Sequence, residues 1–97
     1  MELFAATDPL GNRIVLTRER WNHAWRHEIR GIEKVKRCIQ NPDEIRKSRQ
    51  DSAVHLYYQE LGDRYLCAVV QVEAGFIITA YEPKDRKTGE IIWTKNS

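Results

Sequence analysis

The chain has 97 residues, 41% hydrophobic and 31% charged, with a formal net charge of +2. That length builds one modest core and excludes two, so one domain over residues 1–97 is expected. No segment approaches the roughly 18 apolar residues that a membrane span needs, and the opening Met-Glu-Leu-Phe-Ala-Ala has no basic region followed by an apolar run. A soluble, cytoplasmic protein with no membrane partner is the expectation.

In chain order, Leu3 to Ala6 and Ile14 to Leu16 flank Asp8-Pro9-Leu10-Gly11-Asn12, a Pro and Gly turn that predicts a short hairpin edging or covering a larger sheet. Thr17 is an N-cap residue type, Glu19 suits the positive end of a helix, and a helical period then runs to about Arg30, where Gly31 ends it. A second helix follows, with Ile32, Val35, Cys38 and Ile39 on one stripe, and Asn41-Pro42-Asp43 stops it. From residue 45 the period becomes two. Ile45 to Ser48, Ala53 to Leu61, Tyr65 to Glu73, Phe76 to Tyr81 and Ile91 to Thr94 are successive strand candidates. Turns at Leu61-Gly62-Asp63-Arg64 and Glu73-Ala74-Gly75 make most pairings antiparallel, and the stretch from Pro83 to Gly89 is a longer basic loop. Helices placed before a meander argue for an α+β domain. The expected architecture is two N-terminal helices packed on a four- to five-stranded antiparallel sheet whose other face stays open for a ligand.

Charge is unevenly distributed. Residues 18–49 hold ten Lys and Arg against five Asp and Glu, whereas both flanks are net negative. A concentrated positive segment attracts polyanions, so RNA is a natural partner, although solvated basic helices give the same pattern. Cys38 and Cys67 have neither C-x-x-C nor zinc-ligand spacing and are expected as buried, reduced thiols. Within the first helix, Trp21, Ala24, Trp25, Glu28 and Ile29 share one side, so His23 and His27, one turn apart, project from roughly the other. Their near-neutral intrinsic pKa suits acid and base chemistry. A His-x-x-x-His pair also suits zinc, but no carboxylate or cysteine at ligand spacing completes a site, so no metal and no cofactor are expected.

From Ile14 to Thr94 the chain resembles the phage and bacterial small nucleases grouped with barnase, EndoU, colicin and RelE-like ribonucleases. The phrases that carry the resemblance are Leu16-Thr17-Arg18-Glu19-Arg20-Trp21 with the two histidines, Asn41-Pro42-Asp43-Glu44-Ile45, Tyr57-Tyr58, the apolar strand to Val72, Phe76-Ile77-Ile78-Thr79-Ala80-Tyr81, and Gly89-Glu90-Ile91-Ile92-Trp93. One departure is that Glu28 follows His27 directly, where relatives usually read His-Pro-Glu. The resemblance implies a RelE- or barnase-like α+β fold and a ribonuclease or ribonuclease-derived function; a metal-independent, toxin-like endoribonuclease acting on tRNA or mRNA is the expectation, and a toxin whose cleft is covered by an antitoxin or immunity protein is a further class that overlaps it.

Such an enzyme needs a base for the 2′-OH proton, an acid for the leaving 5′ oxygen and a cation for the phosphate. His27 and His23 are the proton carriers expected here, and Arg49 is a bidentate phosphate grip. Thr79 and Tyr81, on one strand face opposite Phe76, Ile78 and Ala80, are hydroxyl donors or a stacking platform. Arg26, Arg30, Lys47, Lys84, Arg86 and Lys87 would extend the contact to RNA phosphates. Tyr57 and Tyr58 point to opposite faces, so at most one lines the cleft. His55 reads as packing. A non-catalytic RNA- or protein-binding module on the same fold is the alternative.

Overall fold

The computed structural model of the protein describes residues 1–24, 31–86 and 89–95, excluding the side chains of 22–24. Strands β1 (Glu2–Thr7) and β2 (Arg13–Thr17) form the expected hairpin. Its turn is organised by Asp8, whose Oδ1 accepts from the backbone N–H of Leu10 and Asn12 at 3.0 and 2.7 Å, while Oδ2 accepts from Asn12 Nδ2 at 3.0 Å. This is the Asx geometry that makes aspartate a turn residue. Thr17 then caps α1 (Arg18–Ala24), its Oγ1 accepting from Arg20 N–H at 3.3 Å. Gly31, at φ +86°, precedes α2 (Ile32–Gln40), whose Val35, Cys38 and Ile39 are buried with Ile32 packed beside them. The predicted stripe is therefore the stripe that packs.

The meander follows as β3 (Glu44–Lys47), β4 (Val54–Leu61), β5 (Arg64–Gln71), β6 (Phe76–Tyr81) and β7 (Glu90–Thr94). All of these strands and the hairpin lie in one sheet of seven strands, in the order β1-β2-β6-β5-β4-β3-β7. The expected four- to five-stranded antiparallel sheet under two N-terminal helices is thus incorrect. The described chain is mostly strand, the sheet is mixed and has seven strands, and two short helices lie between the hairpin and the remaining strands. The hairpin does not stand apart as a cover. It joins the sheet through a parallel contact, Val15 beside Phe76, with Val15 N–H donating to Gly75 O at 2.8 Å. Gly75 permits this approach, because it sits at φ +78° and a Cβ there would lie 2.8 Å from the Arg13 carbonyl oxygen. At the far end, β7 crosses back to pair with β3 instead of staying beside β6.

One sheet face carries the main core. Phe4, Ile14, Leu16, Ile45, Tyr57, Leu66, Ala68, Val70 and Ile77 pack there with the stripe of α2. Cys38 Sγ donates to Tyr57 O at 3.3 Å, and both cysteines are buried thiols outside any disulfide. The Tyr57 hydroxyl donates to Asp8 Oδ2, so the hairpin turn is tied to the centre of the sheet by a buried charge-assisted bond. The opposite face is not bare, since Leu56, Tyr58 and Cys67 are buried there under Val54, Tyr65, Val69 and Tyr81. Among the described residues no helix is long and apolar enough to cross a membrane.

Candidate nucleic-acid interface

Antiparallel register sets the layout of the face opposite α2. Thr94, Glu44, Tyr58, Cys67 and Tyr81 align across β7, β3, β4, β5 and β6, and Ile91, Arg46, Leu56, Val69 and Thr79 form the next row. Thr79 and Tyr81 therefore share one face, as predicted, and Ala80 points the other way. The same expectation placed Phe76 and Ile78 with Ala80, and that part is incorrect. A bulge opposite Val69 and Val70 inserts Ile78 as an extra residue, so Phe76 pairs with Gln71 and lies on the face of Thr79 and Tyr81. Ile78 lines a cavity on that same face.

The cavity, about 560 Å³, is lined by Val54, Leu56, Val69 and Ile78 with Ser48, Arg49, Gln50 and Asp51 at its rim. Arg49 is exposed in the β3–β4 turn beside it. Thr79, paired with the lining residue Val69, is half-buried, and its Oγ1 has no hydrogen-bond partner among the described residues. Burial, reinforced by the neighbouring Cys67 thiol, raises the Tyr81 phenol above its ordinary pKa. Tyr81 is thus a hydrogen-bond donor at neutral pH and not a base. Both Tyr57 and Tyr58 are buried, and it is Tyr58 that lies on this face, edge-on to Tyr65 with ring centroids 6.2 Å apart.

Helix α1 packs along β6 and β2, and its Arg20 guanidinium stands 4.8 Å above the Phe76 ring. The backbone carrying His23 is therefore adjacent to the strand carrying Thr79 and Tyr81. The His23 side chain, Arg26, His27, Arg30 and Lys87 lie outside the described residues. Lys47 pairs with His55 and Glu90 in the register of the main core face, so it does not join this site. Lys84 is exposed in the loop after β6, whereas Arg86 folds back over the face.

Sequence reasoning missed a cluster at the β3 end of this face. Glu44, only 6% exposed, accepts from Arg46 Nε and from Arg86 Nη1, the latter at 3.1 Å, and the Arg86 guanidinium lies 5.3 Å from the Tyr65 ring centroid. The signal was the pair Glu44 and Arg46, two apart on a strand and so on one face. Among the described residues no group of three His, Cys, Asp or Glu side chains is arranged to hold a metal ion.

A family model described as phage-Barnase-EndoU-ColicinE5/D-RelE like nuclease 2 matches residues 3–94. The chain belongs to that nuclease family. No curated protein and no solved structure matched it.

Proposed function

We propose that this protein is a metal-independent endoribonuclease that cleaves RNA by attack of a 2′-OH on the adjacent phosphorus. The observation that supports the reading is the packing of α1, whose backbone carries His23, along β6, the strand of Thr79 and Tyr81. Membership of a nuclease family supports nucleic acid as the class of substrate. In the reaction, one histidine, His27 or His23, takes the 2′-OH proton as the new bond to phosphorus forms. The bond to the 5′ oxygen breaks, the second histidine protonates that oxygen, and a 2′,3′-cyclic phosphate remains. Arg49 grips the phosphate as its negative charge grows, and the Thr79 and Tyr81 hydroxyls donate to its oxygens. The protein acts in the cytoplasm on tRNA or mRNA in a toxin-like role, with an antitoxin or immunity protein covering the face.

The test is incubation of purified protein with end-labelled tRNA and mRNA in excess chelator, alongside His27→Ala and Arg49→Ala variants. Discrete cleavage that both variants lose supports the reading. Cleavage unaffected by either variant refutes the assigned roles. Salt-sensitive RNA retention without cleavage favours the second reading, a binding module. That alternative draws support from Tyr65 and Tyr81, the partly exposed aromatic rings on the face opposite α2.

A further inference from the structure

We infer that the cavity beside Arg49 is a nucleobase subsite, which receives one unstacked base of single-stranded RNA while Arg49 holds the adjoining phosphate. The inference rests on the ribonuclease reading for its substrate and deepens it by assigning where sequence is read. The floor of four aliphatic side chains, Val54, Leu56, Val69 and Ile78, offers an apolar bed for a flat heterocycle. Ile78 reaches that floor because of the β6 bulge; in unbroken alternation it would face away from Thr79. The volume of about 560 Å³ falls within the range of ordinary ligand pockets.

The rim supplies polarity and is braced before any ligand arrives. Ser48 N–H donates to Val54 O at 2.9 Å, Ser48 Oγ accepts from Gln50 N–H at 3.2 Å, and Asp51 Oδ1 accepts from Ala53 N–H at 2.9 Å. A preformed turn lowers the ordering cost of binding. Asp51 keeps a second carboxylate oxygen to accept from the N–H groups of a base edge. Arg49 makes no ion pair with any described residue, which leaves its guanidinium for a phosphate. An apolar floor under a rim that offers one guanidinium and a carboxylate acceptor complements the phosphate and base of a nucleotide better than it does a hydrocarbon side chain.

The test is a titration of the isotope-labelled full chain, followed by NMR, with each of the four 3′-mononucleotides, with ribose 5-phosphate and with inorganic phosphate. Nucleotides are expected to move the signals of Val54, Leu56, Val69 and Ile78 saturably and to bind about tenfold tighter than ribose 5-phosphate, a modest apolar gain. Inorganic phosphate should move only the Arg49 turn. Equal affinity with and without a base, or shifts confined to another surface, would overturn the subsite. Filling the cavity with Val54→Trp should reduce nucleotide affinity to that of ribose 5-phosphate, and the wild-type titration decides the matter if this variant misfolds. RNA cleavage without nucleotide shifts in the cavity refutes the subsite alone. Nucleotide shifts without cleavage support the subsite and remove the catalytic reading.

Discussion

Replacing Tyr57 with Phe isolates one bond at the centre of the fold. The Tyr57 side chain is 0% exposed and Asp8 is 4% exposed, so the hydroxyl donates to a carboxylate that water barely reaches. The variant keeps the ring and its packing, and Asp8 keeps its donors from Leu10 and Asn12. What disappears is a single hydrogen bond to a charged acceptor, contributing about 1.5–3 kcal/mol. Taking a cost of about 2 kcal/mol, a domain of this size should lose roughly 8–16 °C in Tm. Urea unfolding followed by tryptophan fluorescence reads the same quantity, and the slope with denaturant should not change, because no additional surface is exposed. Tyr57 lies on the face packed against α2, so RNA cleavage measured well below Tm should match wild type. A variant as stable as wild type would refute the energetic role of the bond, and normal stability with lost cleavage would place Tyr57 in the chemistry after all.

Three further outcomes follow from local geometry. His55 is buried with Nδ1 unpartnered among the described residues, and burial lowers its pKa, with Lys47 adding to the effect and Asp8 opposing it. The unfolded chain therefore takes up a proton more readily, so stability should fall as pH drops below about 6.5, and His55→Phe should flatten that slope; parallel slopes in the two proteins would exclude His55 as the cause. Gly75→Ala should cost about 2 kcal/mol or more in urea unfolding, because it combines a positive φ with a Cβ 2.8 Å from Arg13 O, and an unchanged midpoint would mean that the β2–β6 contact contributes little. Glu44→Ala should destabilise more than Arg86→Ala, since Glu44 is a buried acceptor for both Arg46, 16% exposed, and Arg86, whereas loss of the Arg86 side chain, 42% exposed, should cost under about 1 kcal/mol; equal costs would contradict this asymmetry.

The strands were legible because a buried face imposes a period of two wherever it occurs, and α2 was legible because its stripe is unbroken. The hairpin's edge position was one of the two expected, but its parallel junction was not legible, because it rests on Val15, Phe76 and Gly75, three residues whose types do not announce a parallel neighbour. The bulge at Ile78 was equally hidden, since Phe76-Ile77-Ile78-Thr79 reads as uniform strand. Side chains of the site divide in the same way. Thr79 and Tyr81 could be paired by spacing alone, but Glu44 carried no reading of its own in the sequence, and its bond to Arg86 joins residues 42 apart. Asp8 read as a turn former, which it is, yet its anchoring of Tyr57 depends on a contact 49 residues away.

The narrow junction between β2 and β6 also bears on when and how the molecule becomes competent. The β4–β5 and β5–β6 hairpins close over short loops and can form early, whereas β2 must find β6 across some sixty residues of chain, a slow, non-local step. Helix α1 begins at Arg18, immediately after β2 ends at Thr17, with no linker to absorb an error. A slip of one residue at this junction would carry the helix and its His23 backbone by about 3.3 Å along the sheet, away from its present seat on β6. The registry of β2 thus sets where α1 lies along the sheet, and hydrogen exchange at Val15 should report how often that setting is lost.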